Sequence, residues 1–192
     1  MIIKHPGQRV GIFIDTQNLY HSAKNLYGAR VNFAAMMKEA VGDRQLIRAL
    51  AYVIRTETAE ESPFFEALGK LGIETKVKDL QVFGDGAKKA DWDVGLAVDA
   101  IKLAPKLDAI VIASGDGDYV PLVKYLQENM GVQVEVISFG RSSSLKLKEA
   151  VDSFTDMCEN PRAYTMGGNR REGNALRRSR PPRVVGADTS TE

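Results

Sequence analysis

An α/β sandwich on a mostly parallel sheet is the architecture this sequence predicts, and three observations predict it. Short apolar runs alternate with segments whose apolar residues recur every three to four positions, the pattern of strands alternating with helices. Glycine, asparagine and serine fall where the helical segments stop and start. Acidic residues stand just past two of the apolar runs: Asp15 after GIFI, and Asp116 with Asp118 after AIVIASG. In open parallel sheets, that end of a strand is where ligands bind.

Taken in order, RVGIFID (residues 9–15) reads as a buried strand. The helix after it carries Leu19, Ala23, Leu26 and Tyr27 on one face and stops at Gly28, a C-cap. Asn32 caps a second helix, FAAMMKEAV. LIRALAYVI (46–54) is the next strand. In ESPFFEALGKLG, Ser62 fits the N-cap, Pro63 the first helical position and Gly72 the stop. IETKVKDLQV (73–82) alternates like a more exposed strand, and FGDGAKK is a polar loop. DWDVGLAVDAIKLA is a helix, capped by Asp91. LDAIVIAS is a strand, DYVPLVKYLQENM a helix with Asp118 as its cap, VQVEVISF a strand, and SSSLKLKEAVDSF a last helix.

From residue 161 onward periodicity gives way to arginine, glycine and proline, so residues 1–160 are expected to form one domain and residues 161–192 a basic, disordered tail. The tail holds seven arginines against three acids, about +4, which leaves residues 1–160 near −3 of the net +1. A balance so close to zero excludes a domain-wide basic field for nucleic acid or membrane. The lone Cys158 excludes an intramolecular disulfide and a cysteine-only zinc site. No apolar stretch at the start has signal-peptide length and no later run approaches a membrane span, so a cytoplasmic location is expected.

The chemistry gathers in the acids. If the first strand and AIVIA are neighbours, Asp15, Asp116 and Asp118 converge, and the helix opening at DWD offers Asp91, Asp93 and Asp99. Clustered carboxylates repel unless a cation intervenes. Oxygen donors without histidine or cysteine favour a hard ion, magnesium or manganese, and metal-assisted hydrolysis of a phosphodiester by water. The plainer reading is that Asp15 and Asp118 only cap helices.

FIDTQN, DWDVGLAVDA and VIASGDGDYVPLV, in this order and spacing, resemble the NYN domain family in its LabA-like branch, which belongs to the PIN-like nuclease fold; the resemblance covers residues 8–157. It implies a three-layer α/β/α sandwich whose acidic pocket binds a divalent metal and cleaves RNA. Asp15, Asp93, Asp116 and Asp118 are then the catalytic and metal-binding residues, and Asn18, Lys89 and Ser114 the substrate-binding ones. Asn18 is expected to orient the first loop, and Asp99 matches the family's second helix acid. The family often has a lysine three residues before the helix acid, whereas Lys89 stands four before Asp93. Lys88 or Lys89 meets a phosphate, or both are solvated. Trp92 packs at the helix entry or stacks a base.

Two alternatives stay beside the ribonuclease. One is a regulatory protein that keeps the metal pocket and binds RNA or a nucleotide with little or no turnover. The other, a phosphatase of the haloacid dehalogenase type, needs a second Asp where Gln17 stands. His5 and His21 lack ligand spacing and read as surface or cap residues. The two GDG triplets lack the third glycine of a dinucleotide fingerprint. Ser142–Ser144 cap the last helix or hold a phosphate at its start. RNA is the expected partner, and a homodimer is left open.

Overall fold

The computed structural model describes residues 4–55, 61–79, 81–82, 88–89 and 92–167. Along the chain run β1 (Arg9–Asp15), α1 (Thr16–Tyr27), β2 (Arg30–Val31), α2 (Phe33–Val41), β3 (Gln45–Arg55), α3 (Glu61–Lys70), β4 (Glu74–Asp79), β5 (Gln81–Val82) and β6 (Lys88–Lys89). There follow α4 (Asp93–Leu103), β7 (Ala109–Ala113), α5 (Val120–Met130), β8 (Gln133–Ser138), α6 (Leu145–Ala150), β9 (Ser153–Asp156), α7 (Pro161–Tyr164) and β10 (Thr165–Met166).

Six strands form one sheet in the order β4-β3-β1-β7-β8-β9, every pairing parallel. The chain winds outward from β1 to β4, crosses back, and winds outward again from β7 to β9. Strand order therefore reverses between β1 and β7, whose register sets Ile14 against Ala113. A crevice opens beyond the carboxyl ends of strands at such a reversal.

Two apolar clusters, one on each face of the sheet, make the layers. Val10, Ile12 and Ile14 of β1 pack with Leu19, Ala23, Met36 and Leu68 of α1, α2 and α3. Phe13, one position out of phase, packs with Leu96, Ala100, Val123, Leu126 and Leu147 of α4, α5 and α6. The alternation along β1 is the period of two that every strand imposes on its side chains. The architecture is a three-layer α/β/α sandwich of PIN-like type.

Several boundaries differ from the sequence reading. The last predicted helix is two elements: α6 ends at Ala150, Val151 is extended, and β9 adds an edge strand to β8. α3 begins at Glu61, so Ser62 and Pro63 lie within its first turn, where amide hydrogens have no intrahelical acceptor and proline is tolerated. Residues 73–82 break into β4 and β5, and β5 pairs antiparallel with β6. Described structure also runs past residue 160, because β10 pairs with β2 and Asn32 N–H donates to Tyr164 O at 2.8 Å. The tail beyond Gly167 lies outside the described residues, as does Asp91. Among the described residues, no helix is long and apolar enough to cross a membrane.

Candidate metal centre

Asp15 closes β1 and opens α1. Its Oδ1 accepts the Asn18 N–H at 3.0 Å, so it is the N-cap, and Gly28 ends the helix in the left-handed region at φ 58°. Its Oδ2 accepts from Ser114 Oγ at 3.1 Å, across the β1–β7 junction. Capping and site-building are thus done by one carboxylate.

The loop after β7 is held on three sides. Asn18 Oδ1 accepts the Gly115 N–H at 2.9 Å, Ser114 Oγ accepts the Asp116 N–H at 3.2 Å, and Ser144 N–H donates to Gly115 O at 2.9 Å. Gly115 and Gly117 permit the last of these contacts. A Cβ on Gly115 would stand 2.6 Å from Ser143 Oγ, and one on Gly117 2.7 Å from Ser144 Oγ. These glycines serve close approach of the loop to Ser143 and Ser144.

Asp116 Oδ1 accepts the Asp118 N–H at 3.0 Å and caps a single turn of 3-10 helix that leads into α5. The cap expected of Asp118 therefore falls to Asp116, and Asp118 is exposed. Asp93 arrives from the far side, as the first residue of α4, with Trp92 rather than Asp91 in the N-cap position. Asp93, Asp116 and Asp118 each offer an oxygen, and the three oxygens lie within 4.8 Å of one another. A donor set made of carboxylates alone fits Mg2+ or Mn2+. Asp15 stands beside this group of three rather than within it.

One residue bonded to these acids escaped the sequence reading. Tyr119 is fully buried, and its hydroxyl donates to Asp93 Oδ1 at 2.8 Å while lying 3.5 Å from Asp15 Oδ2. It follows Asp118 and reads there as an apolar residue of α5. Its acceptor is 26 positions away in sequence, so only the folded chain joins them. Burial, the Asp15 charge and the bond to Asp93 push this hydroxyl's pKa up. Burial likewise raises the Asp15 carboxyl, outweighing the bonds from Asn18 and Ser114, and the Asp93 and Asp116 charges add to the rise.

The remaining expected residues take other places. Ser114 has no exposed surface, and its hydroxyl bonds Asp15 Oδ2 and the Asp116 N–H. Asn18 ties α1 to the second acidic loop rather than orienting only the first. Asp99 accepts from Tyr52 OH at 2.9 Å and pairs with Lys76. Burial would raise its pKa, yet Lys76 and Tyr52 outweigh that and lower it. The side chains of Lys88 and Lys89 lie outside the described residues. Trp92 packs as expected: its indole N–H donates to Val53 O at 3.0 Å and its ring lies 5.5 Å from that of Tyr52. Ser144 holds the N-cap position of α6 without a side-chain cap bond.

A cleft of about 370 Å3 opens beside the acids, lined by Asp15, Asp93 and Asp116, by Gln17, Asn18, His21, Ser22 and Asn25 of α1, and by Leu26, Tyr52, Ile54, Trp92 and Ser142. His21, read from its spacing as a surface or cap residue, faces this cleft.

The family model for the NYN domain matches residues 9–158. The low amplitude and bright protein LabA of Synechococcus elongatus is 25% identical over 160 residues, 78% of this chain and 83% of the relative. A crystal structure of a Vibrio parahaemolyticus protein of unknown function superposes with a TM-score of 0.77 at 27% identity. It covers 86% of this chain and 100% of that one.

Proposed function

The chain belongs to the NYN domain family, a branch of the PIN-like nuclease superfamily, and from that premise we propose that it is a metal-dependent ribonuclease. The observation that carries the reading is the convergence of Asp93, Asp116 and Asp118 within 4.8 Å at the reversal of strand order. Magnesium or manganese, when bound, supplies charge that stabilises the phosphodiester transition state and makes water a better nucleophile. The three carboxylates offer it oxygen ligands. Asp15 completes the acidic group from β1, and one carboxylate orients the attacking water and takes its proton. Tyr119, Ser114 and Asn18 hold these acids in place.

Incubation of the purified protein with labelled RNA and DNA, in magnesium, manganese or EDTA, tests the reading. Cleavage of RNA that EDTA abolishes is the expected result. RNA binding without cleavage in either metal would replace the enzyme with a regulatory binding protein. The arginines beyond Gly167 are proposed to add phosphate contacts. Truncation after Gly167 keeps β10 on β2 and is expected to weaken RNA binding and flatten its salt dependence. Equal affinity and salt slope would remove the tail from the account.

A further inference from the structure

We infer that the cleft beside the acids is a subsite for one unpaired nucleoside, read by the α1 face that carries Gln17, His21 and Asn25. This rests on the ribonuclease reading and names where the sugar and base of the substrate sit. Gln17, His21 and Asn25 are four residues apart, so they form one stripe along α1, and all three are exposed. The two carboxamides each carry donors and an acceptor, as an imidazole does in its neutral form. That stripe is equipped to bond a base edge in any of several patterns.

Two aromatic side chains, Trp92 and Tyr52, also line the cleft, and Lys78 Nζ lies 5.6 Å from the centre of the Trp92 ring. Trp92 is pinned through its indole N–H to Val53 O, and Tyr52 is buried behind it. Gly95 leaves space for the ring: a Cβ there would stand 2.5 Å from Trp92 Cε3. Aromatic rings together with a polar stripe are the side chains an unstacked base meets in single-stranded recognition. The volume, about 370 Å3, lies low in the range of roughly 300–1,000 Å3 for small-ligand sites. It suits one nucleotide, and a paired base cannot enter without leaving its partner.

Charge locates the phosphate. Among the described residues that line the cleft, none is a lysine or arginine, and three are aspartates. The cleft therefore receives the uncharged part of a nucleotide, and a phosphate approaches the acids only with a divalent cation between them.

Trp92 is the only tryptophan in the chain, so its fluorescence reports this cleft. The full-length protein is titrated with uridine, uridine monophosphate and inorganic phosphate, each with magnesium and with EDTA. Uridine is expected to change Trp92 fluorescence saturably in both conditions. The monophosphate should bind at least fivefold tighter than uridine in magnesium and no tighter in EDTA. Gln17→Ala and Asn25→Ala, at exposed positions, should weaken uridine at least fivefold while leaving calorimetric manganese affinity unchanged. No response to uridine, or uridine affinity as in the native protein for both variants, overturns the subsite. If uridine binds but magnesium adds nothing to the monophosphate, the subsite stands and the metal-centred reading of function fails.

Discussion

Asp108 and Glu135, toward the amino-terminal ends of β7 and β8, each meet a cation, whereas Asp15, Asp93, Asp116 and Asp118 gather beyond the carboxyl ends of β1 and β7. Arg9 grips Asp108 with both side-chain and backbone donors, at 2.7–3.0 Å. Arg44 and Lys4 converge on the buried Glu135, and Arg44 also donates to Ala40 O at 2.6 Å. At the other end, Asp15, Asp93 and Asp116 are held by hydroxyls and backbone N–H groups. Such partners fix the direction of a carboxylate, and at Asp15 and Asp116 they do so without cancelling its charge. One end of the sheet spends acids on stability, while the other concentrates charge where a cation would relieve it.

The largest effect is expected at the paired end. Arg44→Ala leaves Glu135 buried without its main cation and should cost about 3–5 kcal/mol in denaturant unfolding. A loss under about 1 kcal/mol would mean that Lys4 suffices and that the two ends differ less than described. At the acidic end, Tyr119→Phe removes the hydroxyl that orients Asp93. Loss of such an outer-shell partner costs about 10–100-fold in metal affinity. Unchanged manganese affinity in a folded Tyr119→Phe protein would show that Asp93 needs no such support.

A smaller effect has the opposite sign. The raised Asp15 pKa means that the folded state binds more protons than the unfolded one between the unfolded carboxyl pKa, about 3.9, and the folded value. Metal-free stability then falls as pH rises through that window and is flat above it. Asn still caps α1, so Asp15→Asn should abolish the fall and raise the neutral-pH melting temperature of the metal-free protein. A lower melting temperature would mean that the charge is not a burden. The exposed Arg9–Asp108 pair gives the smallest change. Bonds from Arg9 hold the Asp108 carboxyl at about 2, so its stabilisation is present above the unfolded pKa and lost as pH falls through about 2. Arg9→Gln should remove this small stabilisation at pH 7 and make no difference below about pH 2, so the acid limb of the pH-stability profile flattens; an unchanged limb would mean that the pair adds nothing.

The acidic end of this contrast was legible in the sequence, and the ion-paired end was not, because Arg44 and Glu135 are 91 positions apart. Strands whose neighbours bury both faces announced themselves as apolar runs, and Gly28 and Asn32 sat where backbone geometry required them. Asp15 and Asp116 were visible because the end of a parallel strand is a fixed place in such folds. β9 was not visible: four half-buried residues after a six-residue helix carry no period of their own. Tyr119 and the polar stripe of α1 were hidden for a different reason. A tyrosine hydroxyl and an exposed glutamine gain meaning only from partners on other elements, and no spacing along the chain encodes those. The same holds for Asn18, whose acceptor role on Gly115 N–H spans 97 positions.

Calorimetric titration of manganese into the full-length protein and into Asp116→Asn tests most directly whether the acids beyond β1 and β7 hold a divalent cation. Asparagine keeps the cap on the 3-10 turn and removes one charge, so the fold should persist. The account predicts saturable binding to the native protein and at least tenfold weaker binding to the variant. Equal affinity in the two proteins would contradict it.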